Sequence, residues 1–229
     1  MTTLVGHDVG RPLTRLRVDG GLTRSTVLMQ AQADLATGNF RQAQKGAEML
    51  LRGGVPEAVR SAALLVAADA AYGMRSYGQA AARYREFLSR HEEAPETPGA
   101  AMALGWAEFR LGDRARARRS WTGVADKFPA DARAPLACVL AAEVASQGGD
   151  TVAAHALFHR LIAQYPSTLH AGIARLSRSV LALRRDHEDE AVRELDVIVQ
   201  SSEPRGSDAR ARLSAALEVP GGEGCLREP

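Results

Sequence analysis

The 229-residue sequence is poor in the residue types that build sheets, membrane spans and disulfide frameworks. Aromatic residues make up only 5% of it, and Phe, Tyr, Val and Ile are too thinly spread for several strands. Two cysteines, Cys138 in an apolar run and Cys225 in a polar tail, do not make a disulfide scaffold. No stretch approaches the roughly 20 apolar residues of a membrane helix, and no apolar signal-peptide core is found near the start. As written, the chain is expected to stay in the cytoplasm.

Charge of one sign is also lacking, because the formal net charge is only +2. A balanced surface does not attract nucleic acid, and aromatics are not interleaved with the basic residues as in single-strand binders. One basic run stands out: Arg110, Arg114, Arg116, Arg118 and Arg119. It is either a grip for an acidic peptide or a solvated helix face offset by nearby carboxylates. We therefore expect protein partners and no nucleic acid.

What the chain has in abundance is alanine, and five alanines recur at a fixed interval of 37 residues. A turn-like segment precedes each by a few residues, with Gly, Asn, Ser or Asp suited to helix ends and caps. This period predicts five antiparallel helix pairs, with breaks near residues 38, 75, 112, 149 and 186. The alanines are Ala43, Ala80, Ala117, Ala154 and Ala191.

The same register contains small, large and proline positions. Small residues stand twelve positions before each alanine, at 31, 68, 105, 142 and 179, and leave room for close helix contact. Mostly large residues stand four positions after it, at 47, 84, 121, 158 and 195, and an apolar residue follows three later. The spacing places both on one face of the second helix. Pro129 and Pro166 are expected to end two of these second helices.

Small, alanine, aromatic and proline residues at these spacings resemble the tetratricopeptide repeat, although its usual period is about 34 residues. The resemblance implies an all-α, right-handed α-solenoid over residues 25–218, with a C-terminal capping helix at 207–218. It leaves 1–24 as an irregular segment and 219–229 as a disordered tail. The linker segments are similar to those of envelope members, such as the Tol–Pal-associated repeat protein. This similarity implies an alternative function, an envelope-assembly factor, which would be periplasmic if the true N-terminus of the protein is missing.

A second resemblance covers residues 16–35, which read LRVDGGLTRSTVLMQAQADL. Asp19, Gly20 and Gly21 look like the turn that approaches nucleotide in glycerol-kinase-like sugar kinases, where paired glycines let backbone come close to phosphate. The resemblance implies a kinase remnant that binds ATP. We expect functional nucleotide binding to be absent, because the rest of such a kinase is not found in the sequence.

Other candidate chemistry is sparse. His155 and His159 stand one helical turn apart, a metal-chelating spacing, but no third ligand is obvious. Glu188, Asp189 and Glu190 form an acidic helix start that offsets the helix dipole without a metal. No nucleophile with a supporting base and no phosphate-binding loop is present in the sequence. We therefore expect no catalysis, no metal and no cofactor.

The sequence favours a protein–protein interaction scaffold or adaptor that holds a peptide or helix in a concave groove. In tetratricopeptide folds the first helix of each pair lines this groove, so its inward positions are the candidate site. Aromatics and arginine among them are favoured anchors, although they can equally pack against a neighbouring repeat. The candidate residues are Leu65, Asp69, Tyr72, Met102, Trp106, Phe109, Arg110, Val139 and Glu143. Repeat five adds Leu176, Val180 and Arg184. The oligomeric state is left open.

Overall fold

A computed structural model of the protein describes residues 20–185 and 187–200. Within these ranges the chain forms ten α-helices and no strand, which confirms the predicted all-α repeat fold. The predicted tail 219–229, the predicted helix 207–218 and residues 1–19 lie outside the described residues. The helices are α1 Gly20–Ala36, α2 Phe40–Arg52, α3 Glu57–Gly73, α4 Tyr77–Arg90, α5 Thr97–Arg110, α6 Arg114–Lys127, α7 Ala134–Gln147, α8 Thr151–Gln164, α9 Leu169–Leu183 and α10 Glu188–Gln200.

The turns after α1, α3, α5 and α7 fall where the 37-residue period predicts them. Four residues at this interval have left-handed backbone: Gly38, Arg75, Gly112 and Gly149, with φ of +80°, +60°, +81° and +81°. Glycine suits this conformation because it has no Cβ, whereas Arg75 adopts it against the usual preference. The fifth predicted break, at 186, lies between the end of α9 and the start of α10.

Helix ends follow the predicted chemistry only in part. The Asp113 and Asp150 carboxylates cap α6 and α8 by accepting hydrogen bonds from the backbone N–H groups of Arg116 and Ala153, at 3.0 and 3.1 Å. Asn39 and Ser76 occupy equivalent positions, but their side chains make no cap hydrogen bond. Second helices α6 and α8 end two residues before Pro129 and Pro166, as expected.

The chain divides into two compact units, residues 1–74 and 75–229. In the first unit, α1, α2 and α3 pack together around an alanine-rich core that includes Ala31, Ala43, Ala47 and Leu50. The Phe40 ring lies so close to Gly73 that a Cβ there would overlap it. Close contact between helices, with the Phe40 ring packed directly on Gly73, therefore helps to hold this unit together.

The second unit contains α4 to α10, each packed on its neighbour in the sequence. The repeat alanines are fully buried or nearly so, as are the large residues Tyr84, Trp121 and Phe158 on α4, α6 and α8. On α10 the corresponding Leu195 is 38% exposed. Helix α7 is buried at eleven of its fourteen residues, which is typical of a helix surrounded by others. The core of this unit is thus centred on α5 to α9.

Candidate partner-binding site

In the first unit, the candidate groove residues share one face of α3. Leu65, Asp69 and Tyr72 are spaced four and three residues apart, so they lie one above the other on the helix. Asp69 is exposed, whereas Leu65 and Tyr72 are half-buried. This face therefore presents a carboxylate between two partly covered side chains.

In the second unit, the α5 candidates form part of an aromatic cluster. Trp106 is 7% exposed and makes edge contacts with Trp121 and Phe109, at ring-centroid distances of 5.1 and 6.1 Å. The Trp121 indole N–H donates to the Met102 carbonyl at 3.2 Å, and Met102 itself is buried. Trp106 and Met102 therefore serve mainly the packing of α5 against α6. Phe109 and Arg110 are half-buried, so part of each side chain remains accessible to solvent.

On α7 both candidates are removed from solvent. Val139 is fully buried and Glu143 is 5% exposed. The Ser177 hydroxyl of α9 donates to the Glu143 carboxylate at 2.7 Å, so α9 lies directly over this position. Close approach of successive first helices thus removes the deeper groove positions of α7 from solvent. Leu176 and Val180, at the same register positions on α9, are half-buried.

Accessible side chains are found at the C-terminal ends of the first helices. We call these six residues the first-helix row: Phe109, Arg110, Ser146, Gln147, Leu183 and Arg184. Leu183 is 51% exposed, and Gln147 and Arg184 are exposed as well. Leu183 had no place among the sequence candidates, yet it stands two 37-residue periods after Phe109. The 37-residue register would therefore have identified Leu183 as a candidate residue.

The Phe109 ring is held in place from two sides. Trp106 meets it edge-on, and the Trp121 ring lies 6.0 Å away, centroid to centroid. The Arg114 guanidinium lies 5.9 Å from the Phe109 ring centroid, a cation–π distance. An aromatic side chain fixed in this way loses little conformational entropy when a partner binds it.

Two of the five arginines of the basic run are ion-paired within the chain. Arg116 pairs with Asp113 at 3.2 Å, and Arg118 donates to Asp150 at 2.6 Å. This hydrogen bond, with a second from the Ala153 backbone, lowers the pKa of Asp150. Arg160 of α8 pairs in the opposite direction with Asp126 of α6. Two ion pairs thus link successive second helices, which favours the structural reading of the run over a peptide grip.

His155 and His159 do not converge on a shared site. His159 is exposed, whereas His155 lies 3.0 Å from Glu190 of α10, nitrogen to oxygen. Arg178 of α9 donates to Glu190 at 2.9 Å and pairs with Glu194 at 2.7 Å. Hydrogen bonds from His155 first and Arg178 second lower the pKa of Glu190. In the parts of the chain that the structure describes, no three His, Cys, Asp or Glu side chains are grouped to hold a metal.

The remaining candidates lie apart from these features. Burial raises the pKa of the Cys138 thiol to about 11, so the thiol stays protonated and unreactive near neutral pH. Cys225 and Asp19 lie outside the described residues, and Gly20 and Gly21 are the first residues of α1. Among the described residues, no helix is long and apolar enough to cross a membrane.

Comparisons with known proteins agree with this architecture. Residues 65–132 match the family described as "Tetratricopeptide repeat". The chain is similar in structure to a crystal structure of MamA protein, with a TM-score of 0.64 and 16% identity over 81% of this chain and 94% of that one. A second MamA structure, from AMB-1, is similar with a TM-score of 0.60 and 13% identity, over 83% of this chain and 97% of that one. A crystal structure of a tetratricopeptide repeat protein from Parabacteroides merdae has a TM-score of 0.52 and 16% identity, over 90% of this chain and 80% of that one.

No curated protein matches the sequence significantly. At identities this low, the structural matches establish the fold and nothing further. Since the sequence match falls on α3 to α6 and the fold matches extend over most of the chain, the protein has a tetratricopeptide-repeat fold.

Proposed function

We propose that this protein is a non-catalytic scaffold that binds a peptide or helix of a partner protein along the first-helix row. The observation that carries the proposal is the contrast in exposure along the first helices of the second unit. Trp106, Val139 and Glu143 are buried, whereas Phe109, Leu183 and Arg184 keep accessible surface. Binding energy in interfaces concentrates on a few anchor residues, among which arginine is enriched.

The chemistry of the row indicates what the partner carries. Phe109 and Leu183 offer apolar surface at equivalent positions of α5 and α9, and Arg184 adds a cation at the end of α9. Arginine forms forked hydrogen bonds with carboxylates. The partner segment therefore has apolar anchors accompanied by Asp or Glu.

The test begins with capture of partners by the full chain and their identification by mass spectrometry, followed by titration of a captured partner segment. Phe109→Ala and Leu183→Ser should each weaken its affinity at least about tenfold, because truncating an interface anchor costs roughly 2 kcal/mol. Val152→Ser is the matched control for Leu183→Ser, since Val152 is 72% exposed on second helix α8 and lies outside the row.

Circular dichroism separates loss of binding from loss of folding. Phe109 touches the Trp106 and Trp121 rings, so its variant must first be shown to keep the parental helix content. The Leu183 variant removes an exposed side chain and should leave the fold intact. If both folded variants bind a captured partner as tightly as the parent does, the first-helix row is not the binding surface.

A further inference from the structure

Helix α10 packs along α9 and is also linked to α8 by a contact that can titrate. The His155 Nε2 atom of α8 lies 3.0 Å from a carboxylate oxygen of Glu190 on α10. At the same position of the 37-residue register, α6 has Arg118, which donates to Asp150 of α8 at 2.6 Å. Arginine keeps its charge at any physiological pH, whereas an ordinary imidazole gains or loses a proton near pH 6.5. Of these two links between second helices, the one to α10 is therefore the one that changes charge near neutral pH.

The His155 atom that contacts Glu190 has a second neighbour. The Arg178 guanidinium of α9 lies 3.3 Å from the same Nε2 atom, and it donates to the same Glu190 oxygen at 2.9 Å. A guanidinium only donates hydrogen bonds, and an ionised carboxylate only accepts them. Nε2 can therefore bond to Glu190 only when it carries a proton. Both ring nitrogens carry one in the imidazolium, but only one does in neutral imidazole, so protonation of His155 secures the bond from α8 to α10.

The charges beside His155 favour this bond. Arg178 is held between two carboxylates of α10, with Nη1 at 2.7 Å from Glu194 and Nη2 at 2.9 Å from Glu190. The Arg178 side chain is only 12% exposed, so its charge is poorly screened by water. One guanidinium and two carboxylates leave a single negative charge next to Nε2. A proton on His155 neutralises it.

The remaining charged groups near this contact do not link α8 to α10. Among the described residues, those within hydrogen-bond distance of His155 Nε2 are Arg178 and Glu190. His187 lies 3.9 Å from Glu190, nitrogen to oxygen, but it directly precedes α10 and moves with it. Charged residues within one helical turn of Arg178 or Glu190 are Arg175, Glu188, Asp189, Arg193 and Glu194. Charged groups of α6 and α7 with partners on later helices are Arg118 with Asp150, Asp126 with Arg160, and Glu143 with Ser177.

We propose that the contact between His155 and Glu190 is a pH-sensitive link, which binds α10 to α8 more tightly in mildly acidic than in mildly alkaline solution. Protonation adds a positive charge to the hydrogen bond, and charge-assisted hydrogen bonds are the stronger ones. The lowered pKa of Glu190 keeps its carboxylate ionised over the range in which histidine titrates. The link is therefore strongest below the titration of histidine, and it is lost in stronger acid, where Glu190 takes up a proton. This contact is separate from the first-helix row, so the proposal does not depend on the proposed function.

Amide hydrogen exchange of the full chain tests the link without a partner. Exchange in residues 188–200 is measured at pH 8 and pH 5.5 and expressed as protection factors, which removes the intrinsic effect of pH on exchange. Protection of α10 should be about threefold higher at pH 5.5, a modest gain because the His155 and Glu190 side chains are partly screened by solvent. Residues 114–127 of α6 are the internal reference, and their protection relative to α10 shows whether the change is local.

Substitutions of His155 separate the proton from the side chain. His155→Gln cannot gain a charge, so the protection of α10 should be low and equal at both pH values. His155→Arg has a permanent charge, as Arg118 has on α6, and should give high protection at both. His159→Gln is the matched control, because His159 is exposed one turn further along α8 and should leave the rise unchanged. His187→Gln should also retain it.

The outcomes either support or overturn the link. Equal protection of α10 at both pH values in the parent, or a rise that persists in His155→Gln, would overturn it. So would loss of the rise in His187→Gln, which would assign the response to His187. If α10 is unprotected in His155→Gln at both pH values, His155→Arg decides. Constant protection in that variant supports the link, and a rise as large as the parent's overturns it.

Discussion

Replacing Gly105 with alanine tests how closely the paired helices α5 and α6 approach each other. A Cβ on Gly105 would fall on the Trp121 indole ring, at a distance that real Cβ contacts do not reach. The ring cannot easily move away, because Trp121 is fully buried, makes an edge contact with Trp106 and donates its N–H to Met102.

The size of the effect follows from three opposing contributions. Overpacking a core costs about 1–3 kcal/mol, and a weakened indole hydrogen bond costs about a further 1 kcal/mol. Alanine in a helix interior recovers about 1 kcal/mol relative to glycine. We therefore expect Gly105→Ala to lower the free energy of unfolding by about 1–3 kcal/mol.

A glycine on the partner helix supplies the control. Gly123 lies in the middle of α6, and a Cβ there would meet nothing within 4 Å. Gly123→Ala should therefore gain up to about 1 kcal/mol, the opposite sign. Urea unfolding followed by circular dichroism measures both changes. If Gly105→Ala is as stable as the parent, or gains stability as Gly123→Ala does, then the absence of a side chain at Gly105 is not what makes room for the Trp121 ring.

Two further changes concern a turn and an ion-pair cluster. Arg75→Gly should raise the free energy of unfolding by about 0.5–1 kcal/mol in the same urea assay, because Arg75 has φ of +60° and glycine adopts this region without strain; no gain would contradict a strained turn. The lowered pKa of Glu190 means that its ionised form stabilises the fold fully above the ordinary glutamate pKa and that this contribution is lost as the pH falls through the lowered pKa of the folded state. Melting temperatures of the parent and of Glu190→Gln should therefore differ near neutral pH and converge in acid, and a constant difference would contradict this coupling to His155 and Arg178.

The 37-residue register predicted the features that are determined by local backbone conformation and by contacts between adjacent helices. Turn conformation at Gly38, Gly112 and Gly149 follows from the need for left-handed backbone, and the period repeats it without slippage. Burial of Trp121 and Phe158 follows from the contact between the two helices of a pair and the first helix that comes next. Such features can be predicted from sequence because a repeat contacts only adjacent repeats.

The candidate site was less predictable, because the depth of a groove depends on the distance between successive first helices. The register predicts that Val139 and Glu143 lie on the inward face. It does not predict that both are buried, or that α9 comes close enough for the Ser177 hydroxyl to donate a hydrogen bond to Glu143. The same applies to Leu195, whose large apolar side chain occupies a core position and is nevertheless 38% exposed. Its exposure depends on which element follows α10, and no local pattern in α10 contains that information.

The heavy use of alanine connects the close packing of the helices to the position of the proposed binding surface. First helices rich in alanine approach each other closely, since small side chains allow backbones to come near. Where they do so, side chains at the middle of the helix become core, as Glu143 of α7 does beneath Ser177 of α9. At the C-terminal ends of α7 and α9, beyond the closest approach, side chains are exposed, as those of Gln147, Leu183 and Arg184 are. A partner of this protein is therefore expected to contact the ends of the first helices rather than the depth of the groove.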